Sequence, residues 1–534
     1  MRFRDVRRLL RQERGAALVM AIGVAMVLAI AGTSLIAYGT SNERAAHRFK
    51  RSHDSYQTAV SGIENGVAQL ANGTVSDRGD PNYFASLAKT QAFDTNETVV
   101  WDGVLCDDNP NNPGATGDGC TEYTGTPSDT YIPNLRWRLT STSSVPAESG
   151  PGTISRTVTA DVRLRPETSI VRDEEAWEYV YSWKTGDPDG CDMELPNNPS
   201  VTSSFYVAGT LCLDNNSSVL GPTPGNPDVK VNVKGNAVLL KSGNDLGTIA
   251  RPLTQIWVDG VFAPGYPLGG CKYRMRGYDN PCRTADHVEA VIPDPAPPIS
   301  GPVISAPTAQ FDDWYWVASP GPTQPCDPTL SSGAYPNFTD NGIVNDGDLG
   351  TLAIDDMASF SCVTLLGELT WNAATADLTI DGSIFWDGNM EIDPATALDI
   401  TYDGIGVIYL SGWFRTRQTK ICSTYSGGDC NYSTWNTDQD LFVVATAGQT
   451  NFSQCAACGI MLEQSSQFQG ALYADWSMGF QNNSYVQGPM VAKEEVIQNS
   501  FTFNYIPPLI RVPFGMPSVT IDAWNILPPT NFTG

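Results

Sequence analysis

The chain has 534 residues, enough for more than one hydrophobic core, and a net charge of −26 at pH 7. The first 51 residues hold ten Lys and Arg against three Asp and Glu, so the remainder carries a net charge of −33. So acidic a segment repels phosphate backbones, which argues against nucleic acid as a partner of this part of the chain.

An uncharged segment, residues 15–42, follows six arginines in the first 14 residues. Its apolar part, 16–38, has 23 residues and would be ~34 Å long as a helix, enough to span a bilayer. Because basic residues flank its N-terminal end, we expect that end to stay in the cytoplasm. The sequence therefore predicts a single-pass protein of the cytoplasmic membrane whose remaining residues are exported to the cell surface.

The leader is short and basic, ends at Gly15, and is followed directly by an apolar run that begins at Ala16. An ordinary secretory signal has a shorter apolar core and a cleavage site after it. The arrangement resembles the prepilin leader of type IV pilins and pseudopilins. The resemblance implies that a prepilin peptidase cuts between Gly15 and Ala16. It also implies that the mature helix first anchors the protein in the membrane and later packs with other pilins in a filament.

Met20 stands at the fifth mature position, where major pilins carry a glutamate. Minor pilins of the PilX type lack that glutamate too, so the resemblance favours a minor subunit over a repeating one. Small residues such as Ala16, Gly23 and Gly32 would let neighbouring helices approach closely along the span, which ends at Tyr38.

The helix is predicted to continue to residue 71, because apolar residues recur at three- and four-residue spacing. These residues are Ala45, Ala46, Phe49, Tyr56, Val60, Ile63, Val67 and Leu70. Residues 58–67 resemble the N-terminal stretch of PilX-type proteins, and 137–142 with 156–162 resemble that family's paired strands. The predicted order is a leader at 1–15, a helix at 16–71 and a small pilin-like β domain at 72–166.

Twelve cysteines, an even number, all follow the apolar span, and an exported chain meets oxidising conditions. They are Cys106, Cys120, Cys191, Cys212, Cys271, Cys282, Cys326, Cys362, Cys422, Cys430, Cys455 and Cys458. Consecutive pairing is one connectivity, which would staple six local loops. Cys455 and Cys458 have the spacing of a redox motif but lack the strand-then-helix setting of a thioredoxin unit, which favours a structural disulfide.

A linker is predicted at 167–199, and from residue 200 to 505 short β-rich runs alternate with Gly, Asn and Asp. Residues 468–474 recur 18 residues later as 486–492, and 480–484 are matched by 497–501. This period predicts a β-solenoid stapled by disulfides, and it resembles the bactofilin-like β-helix. A β-sandwich of sequential hairpins is the alternative. A proline-rich insertion is expected near 285–362, and a C-terminal tail at 506–534, in a chain that is otherwise mainly β.

Residues that could carry chemistry are sparse, and the sequence contains no Ser-His-Asp arrangement, metalloprotease motif or phosphate-binding loop. We expect no catalytic residues and no required cofactor. Calcium is the weak metal candidate, at Asp346, Asp348, Asp355 and Asp356, whose spacing fits an Asx-turn loop better than an EF-hand. Zinc is disfavoured because none of the three histidines lies near a cysteine pair at ligand spacing. Trp314, Tyr315 and Trp316, with Trp386 and Trp413, could stack on sugar rings, although core packing explains such residues more simply.

The expected function is that of a minor pilin-like subunit at the tip or in the initiating complex of a type IV pilus, contributing to assembly and adhesion. Its expected partners are other pilins, the prepilin peptidase, the membrane, and a surface or polysaccharide ligand. The first alternative is an unprocessed membrane-anchored protein that binds envelope material. The second is an envelope enzyme acting on polysaccharide, which would need two carboxylates about 5–9 Å apart.

Overall fold

A long helix with a small antiparallel sheet precedes a tall parallel stack of strands in this computed structural model of the protein. The described residues are 3–94, 97–107, 120, 135–146, 152–170, 175–186, 190–222, 228–241, 243–260, 262–264, 288–292, 301–318, 350–355, 359–364, 366–393, 397–452, 455–497, 501–505, 512 and 514–526.

The helices are α1 (Phe3–Asn72), α2 (Val75–Gly79) and α3 (Phe311–Ala318), with 3₁₀ turns at Tyr83–Ser86 and Glu175–Glu178. The strands of the first half are β1 (Thr90–Asp94), β2 (Glu97–Asp107), β3 (Leu135–Pro146), β4 (Thr153–Ile170), β5 (Val180–Ser182), β6 (Met193–Leu195), β7 (Ser200–Val201), β8 (Phe205–Val207), β9 (Leu211–Leu213), β10 (Ser218–Val219), β11 (Lys230–Val233), β12 (Ala237–Leu239), β13 (Asp245–Leu246), β14 (Leu253–Val258), β15 (Phe262–Pro264) and β16 (Ala290–Ile292).

The strands of the second half are β17 (Gly350–Ala353), β18 (Phe360–Val363), β19 (Gly367–Asn372), β20 (Asp377–Trp386), β21 (Gly388–Ile392), β22 (Leu398–Asp403), β23 (Ile405–Leu410), β24 (Phe414–Arg417), β25 (Thr419–Cys422), β26 (Tyr425–Ser426), β27 (Asp429–Cys430), β28 (Leu441–Thr446), β29 (Thr450–Phe452), β30 (Cys455–Glu463), β31 (Gln467–Gln469), β32 (Ala471–Phe480), β33 (Tyr485–Gln487), β34 (Met490–Ile497), β35 (Thr502–Tyr505) and β36 (Gly515–Ile526).

The small sheet is antiparallel and has the order β1-β2-β3-β4-β36 among the described residues. The C-terminal half of α1 packs on one face of it, where Ile63 and Leu70 are fully buried. Strand β2 alternates accordingly, with Val99 buried and Val100 exposed. The predicted pairing of 137–142 with 156–162 is present as the register of β3 with β4.

Strand β36 departs from the sequence-based expectation of a C-terminal tail at 506–534. It pairs with β4 over most of its length, from Gly515 opposite Ile170 to Ile526 opposite Ala160. A strand at the edge of a sheet gains a full ladder of backbone hydrogen bonds by this pairing, whereas a tail would leave those groups to water. The sheet is therefore built from two parts of the chain that are more than 340 residues apart.

The large sheet is a parallel β-solenoid, as the sequence predicts, and the β-sandwich alternative is wrong. Its strands stack in three columns, and each coil of the chain passes through the three in turn. The first column has the order β20, β23, β28, β32, β34, β5, β8, β11, β14 and β16. The second is β17, β21, β24, β30, β32, β34, β6, β9, β12 and β15, and the third is β20, β22, β25, β31, β33, β35, β7, β10 and β13.

The internal repeat corresponds to two adjacent coils. Phe468 lies opposite Val486 and Leu472 opposite Met490, which is the 18-residue shift read from the sequence. Inward residues such as Phe468 and Val486 are fully buried, and each coil covers those of its neighbour. At the corner before the third column Asn482 and Asn483 have positive φ values of 40° and 62°, a conformation that asparagine tolerates better than most residues.

The coils do not follow one another in sequence order along the solenoid. The last coil, formed by β34 and β35, stacks directly on the first coil, formed by β5, β6 and β7. Met490 lies opposite Val180, and the amide of Thr202 donates to the carbonyl of Phe503 at 2.9 Å. We call this contact the seam. The predicted linker at 167–199 thus contributes β5 and β6 to the solenoid, and β17 and β18 belong to it rather than to an insertion at 285–362.

The chain therefore enters the solenoid at its middle, runs to one end at β16, crosses to the other end at β17, and returns to the middle. Residues 301–318, which we call the crossing segment, lie along the outer face of the first column. Tyr181 donates its hydroxyl to the carbonyl of Ile304 at 2.8 Å, and the ring of Trp314 stacks on that of Tyr409 at 4.4 Å. The whole solenoid is inserted between β4 and β36, which are neighbouring strands.

Glu495 lies in the interior of the solenoid beside the seam. It is 1% exposed, is in register with Met478, and neither carboxyl oxygen has a hydrogen-bond partner among the described residues. Burial raises the pKa of this carboxyl well above its usual range. Burial therefore favours the neutral form of this carboxyl group in the core.

We expect Glu495→Gln to stabilise the protein at high pH and to lose that advantage at low pH. The folded state holds the proton to a higher pH than the unfolded state does, so the stability of the wild type falls as pH rises from the ordinary carboxyl range towards the raised pKa. The variant has no proton to lose and should exceed the wild type by about 1–3 kcal/mol near pH 8. Thermal unfolding of the full chain between pH 4 and 8 measures the difference.

The matched control is Glu494→Gln, at a partly exposed neighbour whose carboxylate pairs with Lys184 at 2.9 Å. This variant should show no gain at pH 8. A difference between Glu495→Gln and the wild type that does not change with pH would contradict the assignment of a neutral buried acid.

Candidate functional site: the apolar helix and its junction with the sheet

The N-terminal part of α1 stands free of the rest of the described molecule. Twelve large apolar side chains between Leu18 and Tyr38 are exposed, with Met20 at 71% and Tyr38 at 67%. A helix of this length and hydropathy can cross a membrane. Since burying each such side chain is worth about 1.5–3 kcal/mol, the segment requires an apolar environment from a bilayer or from other helices.

The polar groups of this segment are compatible with such an environment. Thr33 donates its hydroxyl to the carbonyl of Ala29 at 2.9 Å, and Thr40 donates to Ile36 at the same distance. These bonds within the helix leave the two hydroxyl groups satisfied without water. The segment can therefore be surrounded by lipid or by another helix at little polar cost.

The predicted processing and packing residues all lie in α1. Gly15 and Ala16 are within its helical backbone, and the surroundings of their side chains fall outside the described residues. Gly23 and Gly32 have open space around them, with no atom within 4 Å of the point where a Cβ atom would lie. None of the described elements other than α1 itself lies near these two glycines, so a partner helix could approach them.

The C-terminal part of α1 is tied closely to the sheet. A side chain at Gly62 would collide with Ser141 and would come within 2.7 Å of Val99, and one at Gly66 would lie 3.1 Å from Leu139. Glycine at these two positions, one helical turn apart, lets the helix lie directly on the strands. Residues 58–67, which carry the sequence resemblance, are therefore the contact between helix and sheet.

Hydrogen bonds fix the same junction. The hydroxyl groups of Ser55 and Ser143 are 2.7 Å apart, and the hydroxyl of Ser143 also donates to the carbonyl of Ser55 at 2.7 Å. At the end of the helix Arg78 donates to the carbonyls of Leu70 and Ala71 at 2.7 and 2.8 Å. Burial lowers the pKa of this guanidinium. These hydrogen bonds hold α1 against β3 and close its C-terminal end.

The solenoid is joined to this sheet through aromatic residues on the two connections that leave β4 and β36. Trp177 follows β4 and Phe514 precedes β36, and their rings are 5.2 Å apart. Phe514 also contacts Tyr473 of the solenoid at 4.8 Å. Helix α3 of the crossing segment contacts both α2 and β36. These contacts make one continuous apolar connection between the sheet and the solenoid.

Four cysteine pairs form disulfides in the described part of the chain, and all four are consecutive pairs. They are Cys106–Cys120, Cys191–Cys212, Cys422–Cys430 and Cys455–Cys458. Cys362 is also disulfide-bonded, while Cys271, Cys282 and Cys326 lie outside the described residues. Cys455 and Cys458 are buried beside Met461 at the end of a hairpin, which agrees with a structural disulfide.

The residues considered as calcium ligands lie mostly outside the described part of the chain. Asp346, Asp348 and Asp356 lie outside the described residues, and Asp355 is partly buried. Within the described part, no group of three or more His, Cys, Asp or Glu could hold a metal ion.

The aromatic residues considered for sugar binding are mostly interior. Trp314, Tyr315 and Trp386 are buried, and the ring of Trp413 packs against Phe452 at 5.5 Å. The rings of Trp314 and Tyr315 pack on Tyr409 and Phe385 of the solenoid, and Trp386 donates its ring N–H to the carbonyl of Gly350.

A cavity of about 430 Å³ lies at the start of α3 and is lined by Asp312, Asp313 and Asp475 among others. Burial raises the pKa of Asp475, although the hydroxyl of Tyr473 donates to it at 2.7 Å. Burial also raises the pKa of Asp313. This cavity has no recognisable sequence pattern, because its lining residues come from separate parts of the chain.

No protein-family model and no curated protein matches this sequence. Among solved structures, the competence-associated pilin ComZ from Thermus thermophilus aligns with 89% of this chain and 97% of its own, at 10% identity and a TM-score of 0.30. Because a TM-score this low does not indicate a shared fold, the function has to follow from the residues of this chain.

We expect Gly62→Val to destabilise the junction of α1 with the sheet by about 1–3 kcal/mol, since the added atoms overlap Ser141 and Val99. Gly39→Val in the same helix, where the surroundings are open, is the matched control and should leave the sheet unaffected. Hydrogen exchange of β2 and β3 in the full chain measures the effect. Equal protection in both variants would contradict a close contact at Gly62.

Proposed function

We propose that this chain is a membrane-anchored, type IV pilin-like subunit. Its helix α1 would first span the bilayer and then pack against the helices of other pilins. One observation carries the proposal: a single uninterrupted helix presents an exposed apolar half and, through Gly62 and Gly66, a half fixed to a small antiparallel sheet. This arrangement links a segment that needs apolar surroundings to a body that must stay in water.

We further propose that the subunit is a minor one, located at the tip or in the initiating complex. The solenoid is a bulky insertion between two neighbouring strands of the sheet, which disfavours close repetition along a thin filament. Met20 also replaces the acidic residue that repeating pilins carry. In this proposal the solenoid is a non-catalytic head that contributes to adhesion by binding a surface or polysaccharide ligand.

Processing at Gly15 is the feature that separates this proposal from a permanently anchored envelope protein. In envelope and sheared-filament fractions we expect the wild-type chain to start at Ala16 and Gly15→Asp to retain the leader. Mass spectrometry of the N-terminal peptide measures this. The matched control Gly39→Asp places the same carboxylate beyond the apolar span, in open space, and should be processed normally.

Retention of the leader in the wild type, with no protein in the sheared fraction, would contradict the pilin-like function. That result would leave an unprocessed anchor with an envelope-binding head. Processing in the wild type together with normal processing of Gly15→Asp would place the cleavage point elsewhere.

A further inference from the structure

A group of basic residues surrounds α1 just beyond its apolar span. We call Arg44, Arg48, Lys50 and Arg51 the basic collar. Arg44, Arg48 and Arg51 are spaced four and three residues apart, so they form a stripe along one side of the helix, while Lys50 lies on another side. The collar lies between the apolar span and the small sheet.

Three of the four collar residues are available for a partner. Arg44, Arg48 and Lys50 are exposed, and none of them forms an ion pair with a described residue. Arg51 has a different role, since it pairs with Glu97 of β2 at 3.2 Å and links the collar to the small sheet.

The position of the collar along α1 determines which part of a membrane it can contact. At a rise of ~1.5 Å per residue, Arg44 and Arg48 lie about 9 and 15 Å beyond Tyr38, the end of the apolar span. When that span fills the hydrocarbon layer, the backbone of Arg44 lies just beyond the headgroup layer, which is about 5–8 Å thick, and its long side chain can reach back to the headgroups. Arg48 lies about one helical turn further from the membrane. Arginine binds phosphate with paired hydrogen bonds.

The charge of the collar is opposite to that of the rest of the exported chain. Residues 52–534 have a net charge of −33, which an anionic membrane surface repels. The bias of basic residues towards the cytoplasmic side also predicts few of them at this position. A local cluster that runs against both trends is suited in charge to a local anionic partner.

We propose that the basic collar binds the phosphate groups of anionic phospholipids at the exported face of the membrane. The inference rests on the proposed function, because it needs α1 to be anchored in the bilayer. The contact would fix the depth of the helix and hold the acidic head at a set distance from the surface. Extraction of the helix into a filament would then have to break it.

The test is the partition of the full chain from detergent into vesicles of phosphatidylcholine alone or of phosphatidylcholine with phosphatidylglycerol, measured by flotation. We expect the wild type to prefer the anionic vesicles. Arg44→Gln/Arg48→Gln should reduce this preference at least about fivefold, given the usual effect of a basic residue at an anionic surface. The difference should vanish in about 1 M salt, where the screening length is ~3 Å.

Two controls make the result specific. Arg44→Lys/Arg48→Lys keeps the charges and should keep most of the preference. Lys241→Gln/Lys493→Gln removes two exposed basic side chains from the solenoid and should change nothing. All variants retain the N-terminal arginines, so any lipid binding by the leader is the same throughout.

Equal preference of Arg44→Gln/Arg48→Gln and the wild type would overturn the lipid contact while leaving the anchor intact. Failure of the wild type to float with either kind of vesicle would overturn the proposed anchoring itself. Binding of a short DNA duplex that depends on Arg44 and Arg48, without a lipid preference, would assign the collar to nucleic acid and overturn the proposal.

Discussion

Parallel backbone hydrogen bonds between coils are the interaction on which this molecule depends. Each coil of a solenoid has its amide and carbonyl groups satisfied only by the coils above and below it. At the seam, β34 and β35 supply the hydrogen-bond partners of β5, β6 and β7. The two groups of strands are about 300 residues apart in the sequence. Without the seam, two unpaired sheet edges would face water in the middle of the head.

Contacts between adjacent coils can be predicted from the sequence, whereas contacts between distant parts of the chain cannot. The 18-residue shift between 468–474 and 486–492 is visible because adjacent coils of equal length place similar residues in similar surroundings. The seam is invisible, since Val491 and Tyr181 are neighbours with unlike side chains and no common spacing. The pairing of β36 with β4 has no signal in the sequence, because the whole solenoid separates the two strands along the chain.

For single residues, too, the sequence predicts chemical type but not structural surroundings. The apolar span was evident from composition alone, and so was the charge of Arg44 and Arg48, whose meaning depends on their place in the structure. Lys493 is exposed and Glu494 is partly exposed, whereas the adjacent Glu495 is buried. A register shift between Ala474 and Ser477 of the neighbouring strand lies beside this change, and the sequence gives no sign of it.

The insertion of the solenoid between β4 and β36 also sets an order of events during synthesis. The sheet that receives α1 is completed by β36, which is synthesised after the whole solenoid. A chain that stops anywhere within the solenoid leaves β4 with an open edge, which invites proteolysis or mispairing. The architecture therefore makes completion of the small sheet depend on synthesis of the whole solenoid.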